Sequence, residues 1–153
     1  MDAIVEAIVV AVLEVLVLAG SGIAAGVLFC VALSVVPAFR GMEPEQYVAA
    51  HRLIGKNYDP VMPLTVLGTA VADAVLAITG APVLFGLAVV LLLGVSAVSH
   101  LANVPINRSV KTLETVPSTW DDPRPRWRNW NLLRTGLAIA ALLVNAIAVV
   151  ATG

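Results

Sequence analysis

The chain has 153 residues, 59% of them hydrophobic and 12% charged, with a net charge of −1 and a mean hydropathy of +0.95. One core of a soluble domain this long has no room for so much apolar surface, so the composition excludes an ordinary water-soluble globule and points to a bilayer as solvent. The near-neutral balance offers no basic footprint for nucleic acid.

Residues 1–6 lack the positive n-region of a secretory signal and carry Asp2 and Glu6 instead. A membrane helix needs about 20 mainly apolar residues. The first candidate covers residues 7–36, with Glu14 as its one charge, and Pro37 follows it. Within it, Gly22-x-x-x-Gly26, preceded by Gly20 and Ser21, permits close helix contact and also suits a homodimer. Cys30, the single cysteine, has no partner for an internal disulfide and reads as a small packing residue. Residues 43–57 (EPEQYVAAHRLIGKN) then read as a short helix with Pro44 in its first turn. That helix lies along the interface or extends the next span, from which Pro60 and Pro63 separate it.

The second span covers residues 62–79, with Asp73 as its only charge, and Gly80-Ala81-Pro82 make a tight turn. The third covers residues 83–102 and is closed by Asn103-Val-Pro105. A long loop, residues 103–130, contains all three tryptophans, and the fourth span covers residues 131–151 with Arg134 in its first turn. Continuous apolar runs of this length satisfy their backbone hydrogen bonds internally, and no period-two alternation of a barrel appears. The expected fold is all-α: one integral membrane domain, an up-down-up-down four-helix bundle.

All nine Lys and Arg fall between spans one and two (Arg40, Arg52, Lys56) or between three and four and just after (Arg108, Lys111, Arg124, Arg126, Arg128, Arg134). Basic loops stay in the cytoplasm, so both long loops are expected inside and both termini outside, as in a bacterial plasma membrane.

Two polar stretches stand out. In RWRNWNLLRTG, residues 126–136, Trp127, Trp130, Asn131 and Arg134 share one helical face. An aromatic belt with a snorkelling arginine explains much of this, but anchoring does not need Asn131. In HLANVPINRSV, residues 100–110, His100, Asn103 and Asn107 share another face. Either Asn103 serves a capped helix end, or the three line a polar pocket where the third span meets the cytoplasm. His51, the other histidine, reads as a solvated residue or a ligand. Two histidines without a metal-binding spacing make a weak metal site, and none is expected; a metal here would need both, with an acidic residue. Charges inside hydrocarbon are functional suspects by default. Asp73 and Asn145 lie at similar depth, about 9 Å from the outer ends of their spans at helical rise, and are placed to hydrogen-bond. Glu14 joins them or reaches the outer interface.

These residues resemble a known family. SGIAAGVLFCVALSVVPAFRGM (residues 21–42) is similar to its first span, a small-residue helix ending in Val-x-Pro-Ala-hydrophobic. NVPINRSVKTLE (residues 103–114) resembles its Asn-x-Pro-hydrophobic-Asn motif. WRNWNLLRTGLAIAALL (residues 127–143) resembles its Trp-x-x-Trp-x-x-x-Arg-Thr entry to the fourth span. The family is the anthrone oxygenase-like group of small four-helix membrane proteins, long catalogued as a domain of unknown function, and the resemblance covers nearly the whole chain.

It implies oxidation of an anthrone-like aromatic polyketide by molecular oxygen, with no added flavin or haem. It also implies a site at Asn103, Pro105, Asn107, Trp127, Trp130, Asn131 and Arg134. Many relatives carry a histidine just after the second tryptophan, where this chain has Asn131 and Leu132. Should that histidine be the base, His51 or His100 takes its place here. Arg134, Asn103 and Asn107 are then expected as donors to a developing oxyanion. Trp127 and Trp130, with Tyr58, are expected to wall a flat apolar slot for a small aromatic substrate. The alternative is a non-catalytic membrane protein, a small transporter subunit or partner-binding bundle, in which these residues only anchor and pack.

Overall fold

The computed structural model describes residues 3–54 and 58–152, leaving aside the side chain at position 59. Asp2, Lys56 and the last residues of the expected 43–57 helix therefore lie outside the described residues. Those described are almost entirely helical and contain no strand. Helix α1 spans Ala3–Cys30, α2 Val36–Gly41, α3 Pro44–Ile54, α4 Tyr58–Thr79, α5 Pro82–Val98, α6 Val104–Lys111 and α7 Arg124–Thr152. Two π-helical segments, Val31–Val35 and Ser99–Asn103, join α1 to α2 and α5 to α6. Four continuous helical runs are long and apolar enough to cross a membrane: Ala3–Gly41, Pro60–Thr79, Pro82–Lys111 and Arg124–Thr152. This is the build of an integral membrane protein.

The expected breaks at Pro37 and at Asn103-Val-Pro105 do not occur. A proline inside an α-helix lacks its amide hydrogen and collides with the carbonyl four residues earlier. At both places a π-helical segment absorbs the conflict by changing the hydrogen-bond step, so the proline enters as the second residue of the next α segment, α2 or α6. Nor do Pro60 and Pro63 separate α4 from what precedes it. Both lie within it: Pro60 in the first turn, where the earliest amides have no helical acceptor to lose, and Pro63 in the helix interior. Because helix extends to Lys111 and resumes at Arg124, the connection expected over residues 103–130 shrinks to 112–123. Asn103 makes no side-chain cap.

The long helices form a ring in which α1 packs on α4 and α7, and α5 packs on α4 and α7. Three apolar clusters stack along it. Val17, Ala72, Leu76, Phe85 and Ala148 fill one end. Ala24, Leu28, Val66, Leu92, Val95 and Ala138 fill the middle. Val31, Phe39, Tyr47, Val110 and Trp127 fill the other end, under Val116 and Trp120 of the 112–123 connection. The glycine that lets α1 close on α4 is Gly20: a Cβ there would stand 2.0 Å from Thr69 Oγ1. Gly22 and Gly26, the expected contact pair, face open space.

At the first end, the fully buried Asn145 amide donates to Asp73 Oδ2 at 3.3 Å, which is the pairing their depths suggest. Glu14 does not join them, accepting instead from Thr152 Oγ1 at 3.0 Å.

Candidate functional site

At the opposite end, the π segments, α3, α6 and the starts of α4 and α7 surround a cavity of about 330 Å3. This lies at the lower edge of small-molecule sites, roughly 300–1,000 Å3. Leu28, Val31, Val66 and Val95 make it apolar, and Phe39 and Trp127 give it flat walls, with ring centroids 5.5 Å apart. Into this lining come His51 from α3, Ser99 and His100 from the second π segment, Asn107 from α6, Arg134 from α7 and Tyr58 at the start of α4.

Asn107 is the hub of one wall. Its Oδ1 accepts from Trp127 Nε1 at 2.9 Å and lies 3.1 Å from His51 Nε2. An indole N–H only donates, so the atom it meets must be the amide oxygen, and the orientation of Asn107 is settled. The same oxygen then requires a proton on His51 Nε2, on the far side of the ring from Nδ1. That Nδ1 is buried, because the imidazole is wedged among Tyr47, Phe39 and Trp127 with centroids at 5.2, 5.4 and 5.9 Å. His100 has the reverse arrangement. Its Nδ1 donates to the Ser96 carbonyl at 2.9 Å, which places the lone pair on Nε2 of an exposed side chain at the rim.

Arg134 supplies the charge. Its Nε and Nη2 donate to Asn131 Oδ1 at 3.1 and 2.8 Å, and Nη1 reaches Ser99 Oγ at 3.5 Å. Asn131 is fully buried and does not line the cavity; it aims the guanidinium from behind. Asn103 is also fully buried and behind the wall, its Nδ2 donating to the Trp127 carbonyl at 3.4 Å. Asn103 therefore does not stand where the sequence placed it, as a donor facing substrate, and Asn131, expected as a site residue, acts on the cavity only through Arg134.

The expectation that both tryptophans wall one slot also needs correction. The buried stripe of α7 runs through Trp127, Asn131, Thr135 and Ala138, and Trp130 lies off it, 41% exposed and outside the cavity. Helical spacing put the two rings on one broad face, but only the centre of that face is covered.

Sequence reasoning missed a clamp on the backbone of Phe39, one of the cavity's walls. Arg124 Nη1 donates to the carbonyls of Phe39 at 3.1 Å and Met42 at 2.6 Å. Its Nε bonds Asp122 at 2.8 and 2.9 Å, and the guanidinium lies 5.4 Å from the Tyr47 ring centre. Burial pushes the Asp122 carboxyl up, but hydrogen bonds from Arg124 outweigh this and hold it below the usual carboxylate range. Burial pushes the Tyr47 phenol up to about 12, with Asp122 adding and Arg124 opposing. A signal was present in Asp-Pro-Arg before the fourth span: Asp122 Oδ1 accepts the Arg124 amide at 2.9 Å, the local turn that an aspartate two residues ahead favours.

Among the described residues no group of three or more His, Cys, Asp or Glu side chains is placed to hold a metal ion. In comparisons with curated proteins and with solved structures nothing matches the chain. A family model described as Anthrone oxygenase matches residues 51–144, more than half of the chain, from the histidine packed on Trp127 to well beyond Arg134.

Proposed function

Because the chain belongs to the anthrone oxygenase family, we propose that it is a membrane-embedded oxygenase. Its substrate is a flat, lipophilic, anthrone-like aromatic, its oxidant is molecular oxygen, and the reaction takes place in the cavity between the π segments and α7. One observation carries the reading. A cation, an imidazole with an outward lone pair and a flat indole wall come from three separate elements and line one apolar cavity. A helix anchor does not require them to meet.

An anthrone has a CH2 between two aromatic rings, in the ring that holds a carbonyl. Removing one proton makes an oxyanion delocalised over the fused system, electron-rich enough to reduce oxygen directly. His100 Nε2 takes that proton. Arg134 donates to the oxygen on which the charge gathers, within a cavity of low polarity where such donors act strongly. The anion passes an electron to oxygen, the two radicals combine into a C–O bond, the peroxide anion takes the proton back from His100, and the resulting hydroperoxide loses water. The CH2 becomes a ketone, one oxygen atom stays in the product and the other leaves as water. The substrate anion is itself the reductant, so no flavin or haem has a step to perform. Phe39 and Trp127 hold the ring system flat.

The distribution of basic residues supports an orientation with the cavity end and the 112–123 connection on the cytoplasmic side of a bacterial plasma membrane. The test is direct. Purified protein in detergent, given anthrone under air, consumes oxygen and forms anthraquinone faster than detergent alone, and under nitrogen it does not. Oxygen uptake no faster than the protein-free control would sink the reading.

A further inference from the structure

Arg134 is a cation in a membrane-spanning helix, and the acceptors it meets, Asn131 and Ser99, are neutral. Among the described residues it forms no ion pair. The described lining of the cavity also contains Arg108 and no Asp or Glu. Neutral oxygens orient a guanidinium without cancelling its charge, and an apolar cavity screens charge poorly. Arg108, exposed at the rim of the same cavity, extends the positive potential along the route inward.

We propose that the cavity takes its substrate as an anion: a flat, fused aromatic bearing an ionised oxygen, carboxylate or phenolate, that becomes the counter-ion of Arg134. This rests on the oxygenase reading for the aromatic part and deepens it by naming the charge state. The guanidinium retains donors beyond those spent on Asn131, and a planar fork suits an oxyanion carried on a planar ring. The apolar walls of Leu28, Val31 and Val95 accept the rings while the charged end lies against α7.

Binding under nitrogen separates this from turnover. Purified protein in neutral detergent is titrated with anthracene-2-carboxylate and with its methyl ester, read by ligand fluorescence. The carboxylate is expected to bind at least about tenfold tighter. The preference is expected to disappear in R134Q and to survive in large part in R134K. Equal binding of acid and ester by the native protein overturns the proposal whether or not R134Q folds, as does an undiminished preference in a folded R134Q. Dodecyl phosphate is the competing arm. If it binds tighter than the aromatic acid, the anion is a lipid headgroup and the proposal fails. Selective acid binding with no oxygen uptake in air would leave this inference standing and sink the oxygenase reading. Uptake with acid and ester bound alike would do the reverse.

Discussion

At the scale of single residues, the two histidines divide the work by tautomer. His51 spends Nε2–H on Asn107 and buries Nδ1, so it holds the indole wall and is a positioning residue. His100 spends Nδ1–H on a backbone carbonyl of its own helix and leaves Nε2 as the basic nitrogen. His100→Gln is therefore expected to lower kcat on anthrone by roughly 10²- to 10⁴-fold, the range for loss of a general base, with little change in KM. Oxygen-electrode kinetics check this, and an unchanged kcat would move the proton transfer elsewhere. Asn107 was expected to donate to an oxyanion. Its oxygen accepts from two rings at once, so only its Nδ2 is left for that role, an arrangement only coordinates reveal, because helical spacing says which face a residue occupies and not which of its atoms is spent.

At the scale of elements, the bundle depends on one close approach and one clamp. Gly20 meets Thr69 where α1 crosses α4, and any Cβ there overlaps the hydroxyl. Gly20→Ala is expected to cost about 1–3 kcal/mol by overpacking, seen as a lower thermal midpoint in detergent. Gly26→Ala, with open space around it, is expected to leave the midpoint nearly unchanged. The small-residue pattern announced a tight helix contact but not which glycine makes it, since Gly20, Gly22 and Gly26 are spread over nearly half the helix circumference. The clamp of Arg124 ties α2, α3 and the 112–123 connection together, with the unpartnered Tyr47 hydroxyl buried beneath it. Burial raises the Tyr47 phenol from 10.0 to about 12. A raised folded value means the neutral form favours the fold, so this contribution is whole below pH 10 and disappears as pH rises towards 12. Thermal midpoints are expected to fall across that window in the native protein and to fall less in Tyr47→Phe.

At the scale of the molecule, the bundle has two unlike ends. One holds Asp73–Asn145 and Glu14–Thr152 and carries no Lys or Arg nearby. The other holds the cavity, the clamp and the described basic residues. Basic segments resist translocation, so a single cysteine placed at Ser118, in a chain whose Cys30 is replaced by Ala, is expected to resist an impermeant maleimide in whole cells and react after lysis. Labelling in whole cells at the same rate would reverse the orientation. The exposed apolar side chains along the long helices, Ile8, Val12, Leu64, Val90 and Val150 among them, are the surface a bilayer covers, and they explain why so few large residues remain for an interior built largely of alanine and valine.

Hydropathy is a local property, and a helix satisfies its own backbone, so the chain alone determined that this is a membrane protein of four apolar helices with polar groups gathered at one pair of helix ends. Its motifs likewise determined the family. The fold around the prolines was decided only in three dimensions, because a π-helical turn accommodates what a straight α-helix rejects. The fate of each polar side chain was decided there too. Trp127 is wall and Trp130 lies outside, Arg134 enters the cavity while Asn131 and Asn103 stand behind it, because burial and hydrogen bonding belong to the neighbours a residue meets and not to its spacing along one helix.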